Sequence, residues 1–431
     1  MDAGSVLEAE LRQLSAATEE LARQCGNLSF YGEAGTTRPG SLPHEVSDTK
    51  RHVLALTWRL QNLLTGPGDL IQHFERQVQL MACLQWLAEF QVLAFIPLTG
   101  SVFMKDIADL TRVPEAQLRR IVRITATAGF LSEPEPDYIA HTSLSAPFVT
   151  KLWYRDAAMF LAETTAPAAL HMAAATRRRV DPHRSLDSAY MLALKTSQTF
   201  NASCEQSSKL RRQWLAYLKC VGHLDDGFAE LLDQLQWQSL GNACIVDVDA
   251  PSAALVAKLA TRFPALHFVV QMRDPPGQEG KDPELDRRIL VQRRATATVQ
   301  QVKKAAVYIL RPRPSEPSAN SDTQLCRIRA ELKAHVGVLR ANPSASLILV
   351  PRLLPEPGSV PPNLEMTARV RDLSLLQLSS EGDLEFSELV ELVGSFHDGT
   401  GRLVVADKMY SSASLIAAVS IRYQLYVDTY Q

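Results

Sequence analysis

The chain has 431 residues, of which 46% are hydrophobic and 21% are charged, and its formal net charge at pH 7 is −2. This length predicts two or three domains, and the composition is that of a folded protein rather than a disordered one. A net charge so close to zero argues against a general nucleic-acid-binding protein.

The sequence lacks recognisable targeting signals, and its cysteine spacing bears on metal binding. No stretch of about 18 uncharged apolar residues occurs, and the first residues, MDAGSVLEAELRQL, lack the basic-then-apolar order of a signal peptide. We therefore expect an intracellular chain without membrane association. The six cysteines are scattered with no CxxC motif and no close Cys/His grouping, so we interpret them as buried thiols and expect no metal site.

The N-terminal region predicts a series of helices. Apolar residues recur at helical spacing over residues 6–25, with Glu and Arg between them, which indicates an amphipathic helix. The Gly- and Pro-bearing segment from Gly26 to Pro43 is typical of a linker. Further helical patterns cover residues 45–64 and 68–95. The second is apolar on most sides, so it is covered either by its own domain or by a second copy in a dimer.

The region from residue 101 to residue 150 has the order of a winged helix-turn-helix. A helix over Lys105–Thr111, a Val-Pro turn and a second helix over Glu115–Ala128 precede a short hairpin. In such a module the second helix can enter the major groove of DNA.

Charges on this pattern oppose DNA binding. The second helix carries three basic residues, Arg119, Arg120 and Arg123. The hairpin carries three carboxylates, Glu133, Glu135 and Asp137. Because these carboxylates stand where phosphates would lie, we favour a structural role for the module and expect no direct DNA binding.

Strands and helices alternate in the C-terminal part. Residues 153–235 predict further helices, and we interpret the run Arg177–Arg179 as a solvated helix end rather than a nuclear-localisation or phosphate-binding signal. From Asn242 onward strands alternate with helical patterns such as Thr323–Ala341 and Phe386–Leu392. This order predicts an α/β domain with a mostly parallel, doubly wound sheet. The predicted strands are residues 244–248, 266–270, 305–310, 346–351, 402–407 and 414–423.

The stretch VDVDAPSAALVAKLATRFPALHFVVQ, residues 246–271, has the outline of a nucleotide-binding βαβ unit without its glycines. Such a unit turns on glycine because a backbone that bends sharply against a nucleotide has no room for a Cβ atom. Here the turn reads Asp249-Ala250-Pro251-Ser252-Ala253. The scaffold of a nucleotide site is present, but its turn is not suited to a nucleotide.

The order of elements resembles the fungal and plant O-methyltransferases that use S-adenosylmethionine. The resemblance covers about residues 70–421, and several stretches match at corresponding places: VPEAQLRRIVR with AHT in the winged-helix part, FPALHFVVQ at the second strand, AVYILR at the fourth and LLPEPG after the fifth. It implies a Rossmann-like methyltransferase fold in the C-terminal domain and an α-helical, winged-helix dimerisation domain before it. We assign residues 1–43 to the amphipathic helix and linker, 44–152 to the helical dimerisation and winged-helix domain, 153–240 to a helical connecting region and 241–431 to the degenerate Rossmann domain.

The positions that bind the cofactor in that family are replaced in this chain. The family's loop, V-D-V-G-G-G-x-G, falls on Val246–Ala253. Pro251 has no N–H to offer, and Asp249 would face the methionine carboxylate with like charge. The acidic residue for the ribose hydroxyls is also replaced, and Asp274 could substitute only if the strand end shifts. The degenerate positions are Asp247, Asp249, Ala250, Pro251, Ala253 and Met272.

The catalytic base of the family is also replaced. There a His-Asp pair follows the YILR strand, and its histidine takes a proton from the substrate hydroxyl. The corresponding stretch here, Arg311 to Asn320, contains no histidine. We interpret His335 and His397 as surface or helix-side residues. The chain is therefore expected to have no catalytic residue and no cofactor.

A degenerate branch of that family resembles the chain more closely. It is the group of transcriptional co-regulators of fungal aromatic polyketide clusters, of the aflatoxin-cluster coactivator type, which are similar in length, in the extra N-terminal helix and in the eroded glycine loop. The resemblance implies a homodimer in nucleus and cytoplasm that binds the cluster's own zinc binuclear-cluster transcription factor. The alternatives are an active O-methyltransferase, an enzyme catalysing a cofactor-free step on a polyketide, and a DNA-binding protein.

Overall fold

The computed structural model describes residues 3–32, 44–179, 188–221, 228–233, 235–273, 286–312, 323–410 and 415–426. The chain divides into two compact units. Unit 1 comprises Met1–Leu152 with Glu356–Thr367, and unit 2 comprises Trp153–Pro355 with Ala368–Gln431. None of the helices in these described ranges is long and apolar enough to cross a membrane.

Unit 1 begins with two helices that pack on each other, α1 (Ala3–Gly32) and α2 (His44–Leu64). Ala17 on α1 and Leu56 and Leu60 on α2 are buried, so part of the apolar stripe of the amphipathic pattern is covered within the chain. Helix α1 continues past Gly26, so the predicted start of the linker is wrong, and the rest of the predicted linker, residues 33–43, lies outside the described residues.

The third helix of unit 1 is shorter than its sequence pattern. Helix α3 (Pro67–Glu89) begins with a proline in its first turn, and Asp69 accepts the Gly66 N–H at 3.0 Å. It ends before Gln91, whose φ of 54° separates it from α4 (Val92–Phe95). The single pattern predicted over residues 68–95 is therefore two helices.

The two helices and the hairpin predicted between residues 101 and 150 are present. The three strands form an antiparallel sheet in which the last strand in the chain lies between the other two. A core that includes Met104, Ile107, Leu118 and Val122 holds helices and strands together. The elements are β1 (Val102–Phe103), α5 (Met104–Thr111), α6 (Glu115–Thr127), β2 (Leu131–Ser132), β3 (Tyr138–His141) and α7 (Pro147–Thr150).

Unit 2 opens with helices around an aromatic core. Phe160, Tyr190, Phe200 and Trp214 are buried there, with neighbouring ring centroids 5.2–6.1 Å apart. The run Arg177–Arg179 ends a helix, as predicted. The helices are α8 (Trp153–Phe160), a π-helical turn (Leu161–Thr165), α9 (Ala166–Leu170), α10 (Met172–Arg179), α11 (Ala189–Ala193), α12 (Phe200–Gln206), α13 (Ser208–Val221), α14 (Phe228–Asp233) and a 3₁₀ turn (Trp237–Leu240).

A seven-stranded sheet forms the rest of unit 2. Its strands are β4 (Cys244–Val248), β5 (His267–Met272), β6 (Ile289–Arg293), β7 (Ala305–Leu310), β8 (Ser346–Leu349), β9 (Gly401–Tyr410) and β10 (Ala417–Leu425). They lie in the order β6-β5-β4-β7-β8-β10-β9, in which the first five strands are parallel and β10 is antiparallel to both its neighbours. The helices in this part of the chain are α15 (Ala254–Arg262), α16 (Gln324–Ala341), α17 (Pro362–Ser379) and α18 (Phe386–Gly394). Residues 362–367 at the start of α17 belong to unit 1.

Alternate residues of the central strands enter two different cores, one on each face of the sheet. Val246 and Val248 of β4 pack in the core that contains α16 and α18, whereas Ile245 packs in the core that contains α15. Successive side chains of a strand point to opposite faces of the sheet, so these two cores show that helices cover both faces. The predicted mostly parallel, doubly wound sheet is confirmed.

Candidate functional site

The loop after β4 has a glycine-like backbone without a glycine. β4 ends at Val248 and α15 begins at Ala254. Between them Asp249 has a φ of 54°, in the left-handed region that glycine favours and that Asp tolerates better than most residues. The next residue, Ala250, is buried and donates its N–H to the Gln271 carbonyl on β5 at 2.9 Å. The loop is thus fixed to the end of the neighbouring strand.

The carboxylate of Asp249 is paired with an arginine of the same chain. Arg273 Nε lies 3.0 Å from Asp249 Oδ1, and Arg273 Nη2 lies 3.0 Å from Oδ2, so the guanidinium binds both oxygens. The side chain of Asp249 is 7% exposed and that of Arg273 is 38% exposed. The sequence suggests that Asp249 would face the carboxylate of a cofactor with like charge. In the structure its charge is compensated by the residue that follows β5.

The end of β5 offers a thioether where the methyltransferase resemblance expects a carboxylate. Met272 is the last residue of this strand, is 5% exposed and accepts the Arg294 N–H at its carbonyl at 2.8 Å. A methionine sulfur is a weak acceptor and does not bind two ribose hydroxyls as a carboxylate does. Asp274, the substitute considered from the sequence, lies outside the described residues.

Asp247 is fully buried, and a second arginine compensates its charge. Arg311, which follows β7 directly, places Nη2 2.9 Å from Asp247 Oδ2 and 3.2 Å from Oδ1. The same guanidinium lies 5.0 Å from the ring centroid of Phe228. Removing one partner of a buried ion pair costs about 3–5 kcal/mol because the other charge is left buried without compensation, so loss of Arg311 would destabilise the junction of β4 and β7 at the carboxyl edge of the sheet.

The residues of this loop do not fit S-adenosylmethionine. The N–H of Ala250 is bound to Gln271, and Pro251 has no N–H. Ala253 precedes α15 without a side-chain cap, and the Asp249 carboxylate stands where the family has a glycine. A negatively charged ligand at this turn would meet a carboxylate instead of a row of N–H donors.

The two histidines considered from the sequence, His335 and His397, lie in different environments. His397 is exposed and His335 lies on helix α16, so the expected surface or helix-side positions hold, and the His335 side chain is fully buried. His335 Nδ1 lies 2.7 Å from the Glu331 carbonyl oxygen, and Nε2 lies 3.2 Å from Gln300 Nε2. Burial lowers the pKa of His335 to about 4, so this side chain is neutral at physiological pH. The stretch 313–320, where the family has its base, lies outside the described residues.

A buried polar network joins the β6–β7 connection to α16. Arg294 binds both carboxylate oxygens of Glu331 at 2.8 and 3.2 Å, and Glu331 also accepts the Ala297 N–H at 2.6 Å. The amides of Gln271 and Gln300 are bonded to each other at 2.9 Å. Sequence reasoning missed this network, together with Arg273 and Arg311. The only signal in the sequence is that each of the two arginines follows a predicted buried strand.

The arginines of α6 are paired with carboxylates of their own unit. Arg119 binds Asp137 at 2.7 Å and Glu115 at 2.5 Å. Arg123 binds Glu133 at 3.1 Å. The basic residues of the helix and the carboxylates of the hairpin are therefore in direct contact.

A stripe of large apolar side chains on α3 is exposed. The exposed fractions are 44% for Leu70, 66% for Ile71, 55% for Phe74 and 58% for Val78. These four positions recur at helical spacing along one helix. From the sequence, this helix is covered either by its own domain or by a second copy in a dimer. Within the residues that the structure describes, unit 1 does not cover the stripe.

In the part of the chain that the structure describes, no group of three or more His, Cys, Asp or Glu side chains could hold a metal ion. Four of the cysteines are buried or half-buried, whereas Cys25 and Cys326 are exposed, so the expectation of buried thiols is wrong for these two.

Comparison of sequences finds transcriptional coactivators of fungi. The chain is 54% identical over 354 residues to a transcriptional coactivator of Pseudocercospora fijiensis, with 80% of this chain and 96% of that protein covered. It is 39% identical over 456 residues to the notoamide biosynthesis cluster transcriptional coactivator of Aspergillus sp., with 99% of each covered. The monodictyphenone cluster transcriptional coactivator of Emericella nidulans is 39% identical over 480 residues, with 99% of each covered. No family model matches the chain.

Comparison of structures finds the methyltransferase fold at low sequence identity. The structure of OxaC, also solved with SAH and oxaline, has a TM-score of 0.62 at 15% identity and covers 98% of this chain and 100% of OxaC. The mitomycin 7-O-methyltransferase MmcR has a TM-score of 0.54 at 18% identity and covers 83% of this chain and 96% of MmcR. The predicted Rossmann-like fold with a helical N-terminal region is confirmed.

Proposed function

The chain belongs to the family of transcriptional coactivators of fungal secondary-metabolite gene clusters, and from this premise we propose that it is a non-catalytic coactivator that binds the zinc binuclear-cluster transcription factor of its own cluster. Its methyltransferase-like fold then serves as a scaffold for protein contacts, since a fold does not by itself imply its ancestral chemistry. The cluster makes an aromatic polyketide, and the protein acts in the nucleus while a cytoplasmic pool is also present.

One observation carries the non-catalytic part of this proposal, the Asp249–Arg273 ion pair at the former glycine loop. An internal cation compensates the Asp249 carboxylate, and the loop's Ala250 N–H is bound to β5, so a cofactor would have to break existing contacts to bind. Calorimetric titration of the full chain with S-adenosylmethionine at millimolar concentration should give no binding heat. A dissociation constant in the low micromolar range would refute the proposal.

The partner is tested separately. Full-length protein carrying an affinity tag, expressed in the fungus under its own promoter, should co-precipitate the zinc binuclear-cluster factor encoded in the same cluster. The names of the relatives support this expectation, because a coactivator needs a DNA-bound protein to act on. Co-precipitation of the general transcription machinery without that factor would contradict the choice of partner.

We also propose that the chain is a homodimer, in which α3 packs on a second copy. The exposed stripe from Leu70 to Val78 lies on one helix face, and a two-fold interface needs only one self-complementary apolar patch. Part of the apolar stripe of helix α1 packs on α2 in the same chain. An ion pair of 3.1 Å between Glu10 and Arg59 also joins these two helices.

A further inference from the structure

The basic face of α6 is covered by a turn of its own unit. We name residues 133–137, between β2 and β3, the acidic turn. Its Glu133 binds Arg123 through both guanidinium contacts, Nε to Oε2 at 3.1 Å and Nη2 to Oε1 at 3.2 Å. Its Asp137 contacts both arginines, Arg119 at 2.7 Å and Arg123 at 3.5 Å. Two arginines that a helix-turn-helix would direct at phosphates are therefore bound to carboxylates.

The backbone of the acidic turn is shaped for these contacts. Asp137 has a φ of 64°, in the left-handed region, and donates its N–H to Glu133 Oε1 at 2.9 Å. Its carbonyl accepts the Met104 N–H at 2.8 Å, which fixes the turn to the start of α5. The hydrogen bond from Arg123, followed by that from the Asp137 N–H, lowers the pKa of the Glu133 carboxyl. This carboxylate stays charged at physiological pH.

The balance of charge on this face is negative. Helix α6 contributes three positive charges, from Arg119, Arg120 and Arg123, and one negative charge from Glu115. The acidic turn contributes three negative charges, from Glu133, Glu135 and Asp137, so the sum is +3 − 4 = −1. A DNA backbone would be repelled overall, and its phosphates would also have to displace formed ion pairs.

We propose that the acidic turn is an autoinhibitory contact: it takes the place of DNA phosphates on α6 and so prevents the helix-turn-helix of unit 1 from binding DNA. This inference rests on the proposed coactivator function, in which the partner factor supplies all contacts with DNA. The α6 arginines are then a latent DNA-binding face that removal of the carboxylate charges exposes.

The test uses substitutions that remove charge and keep the geometry. In the variant E133Q/E135Q/D137N, glutamine at position 133 keeps an oxygen that can accept the N–H of residue 137. Asparagine at position 137 tolerates the left-handed backbone as well as aspartate does. The matched control, E8Q/E19Q/E45Q, adds the same +3 charge at exposed positions on α1 and α2.

Fluorescence anisotropy with a labelled 20-base-pair duplex measures the outcome. Wild type and control should show no binding at tens of micromolar protein, whereas E133Q/E135Q/D137N, the turn variant, should bind. Its affinity should be about tenfold weaker at 150 mM than at 50 mM salt, because two to three phosphates are contacted. A turn variant that melts like wild type and binds no better than the control would overturn the inference. If the triple variant is destabilised, D137N alone, which weakens contacts to both arginines, should still bind DNA more tightly than wild type, and its failure would equally overturn it. DNA binding by the wild type would instead refute the proposed absence of DNA contacts.

Discussion

Replacing Arg311 with methionine should destabilise unit 2 because it leaves the buried Asp247 carboxylate without its cation. The Asp247 side chain is 0% exposed and that of Arg311 is 26% exposed. Loss of one partner of a fully buried pair costs about 3–5 kcal/mol, and partial solvent access at Arg311 places this case at about 2–3 kcal/mol. Methionine retains an apolar contact with the Phe228 ring, so the change mainly removes charge.

Thermal unfolding followed by circular dichroism measures this effect. For a unit of this size each kcal/mol shifts the melting temperature by about 2–4 °C, so R311M should melt about 4–12 °C below wild type. The matched control is D247N/R311M, in which no charge is left buried. We expect the double variant to recover about 1–3 kcal/mol relative to the sum of the two single changes. An R311M variant that melts within about 1 °C of wild type, or strictly additive single and double changes, would show that the pair does not stabilise the sheet edge.

Three further predictions concern other parts of the chain. Because burial lowers the pKa of His335 to about 4 from an ordinary 6.5, the unfolded chain binds this proton first as pH falls, and the free energy of unfolding should drop by about 3 kcal/mol between pH 6.5 and 4. Urea unfolding across this range should show that H335Q removes this pH dependence, and an unchanged slope of unfolding free energy against pH in H335Q would contradict the assignment. Light scattering at tens of micromolar should give a dimer for wild type and a monomer for F74E/V78E on the exposed stripe, with E75Q as the control; a wild-type monomer would refute the proposed dimer. Deleting residues 1–43 should leave a chain that still dimerises through α3, whereas a monomeric deletion variant would show that α1 caps the dimer.

Much of the fold follows from the sequence where strands are buried on both faces. The ranges of β4 and β7 agree with their predictions because parallel central strands are continuous apolar runs. The edge strand β6 was not predicted because its sequence, ILVQR, is short and partly polar. Helix α17 was also missed, since its apolar residues lie on several sides of the helix and give no single stripe.

The sequence predicts the loss of the cofactor-binding glycines, but it does not predict the aspartate–arginine ion pairs found in their place. Comparison with the family's glycine loop is enough to locate Asp249 and Pro251 at positions where a cofactor needs glycine. The partners Arg273 and Arg311 are 24 and 64 residues away from the aspartates they bind. Such pairs form only when parallel strands bring their carboxyl ends to one edge of the sheet, which local sequence patterns do not encode.

The central claim is that the chain activates transcription without using the former cofactor cleft. The direct measurement is the abundance of the cluster's transcripts in a strain whose own gene carries Asp249→Ala, with Asp274→Ala as a second variant and immunoblotting to verify protein levels. Because neither residue is required to hold a ligand, transcript levels should equal those of the parent strain. Loss of these transcripts at normal protein level and with an intact fold would contradict the claim and would point to a ligand-binding or catalytic role for the cleft.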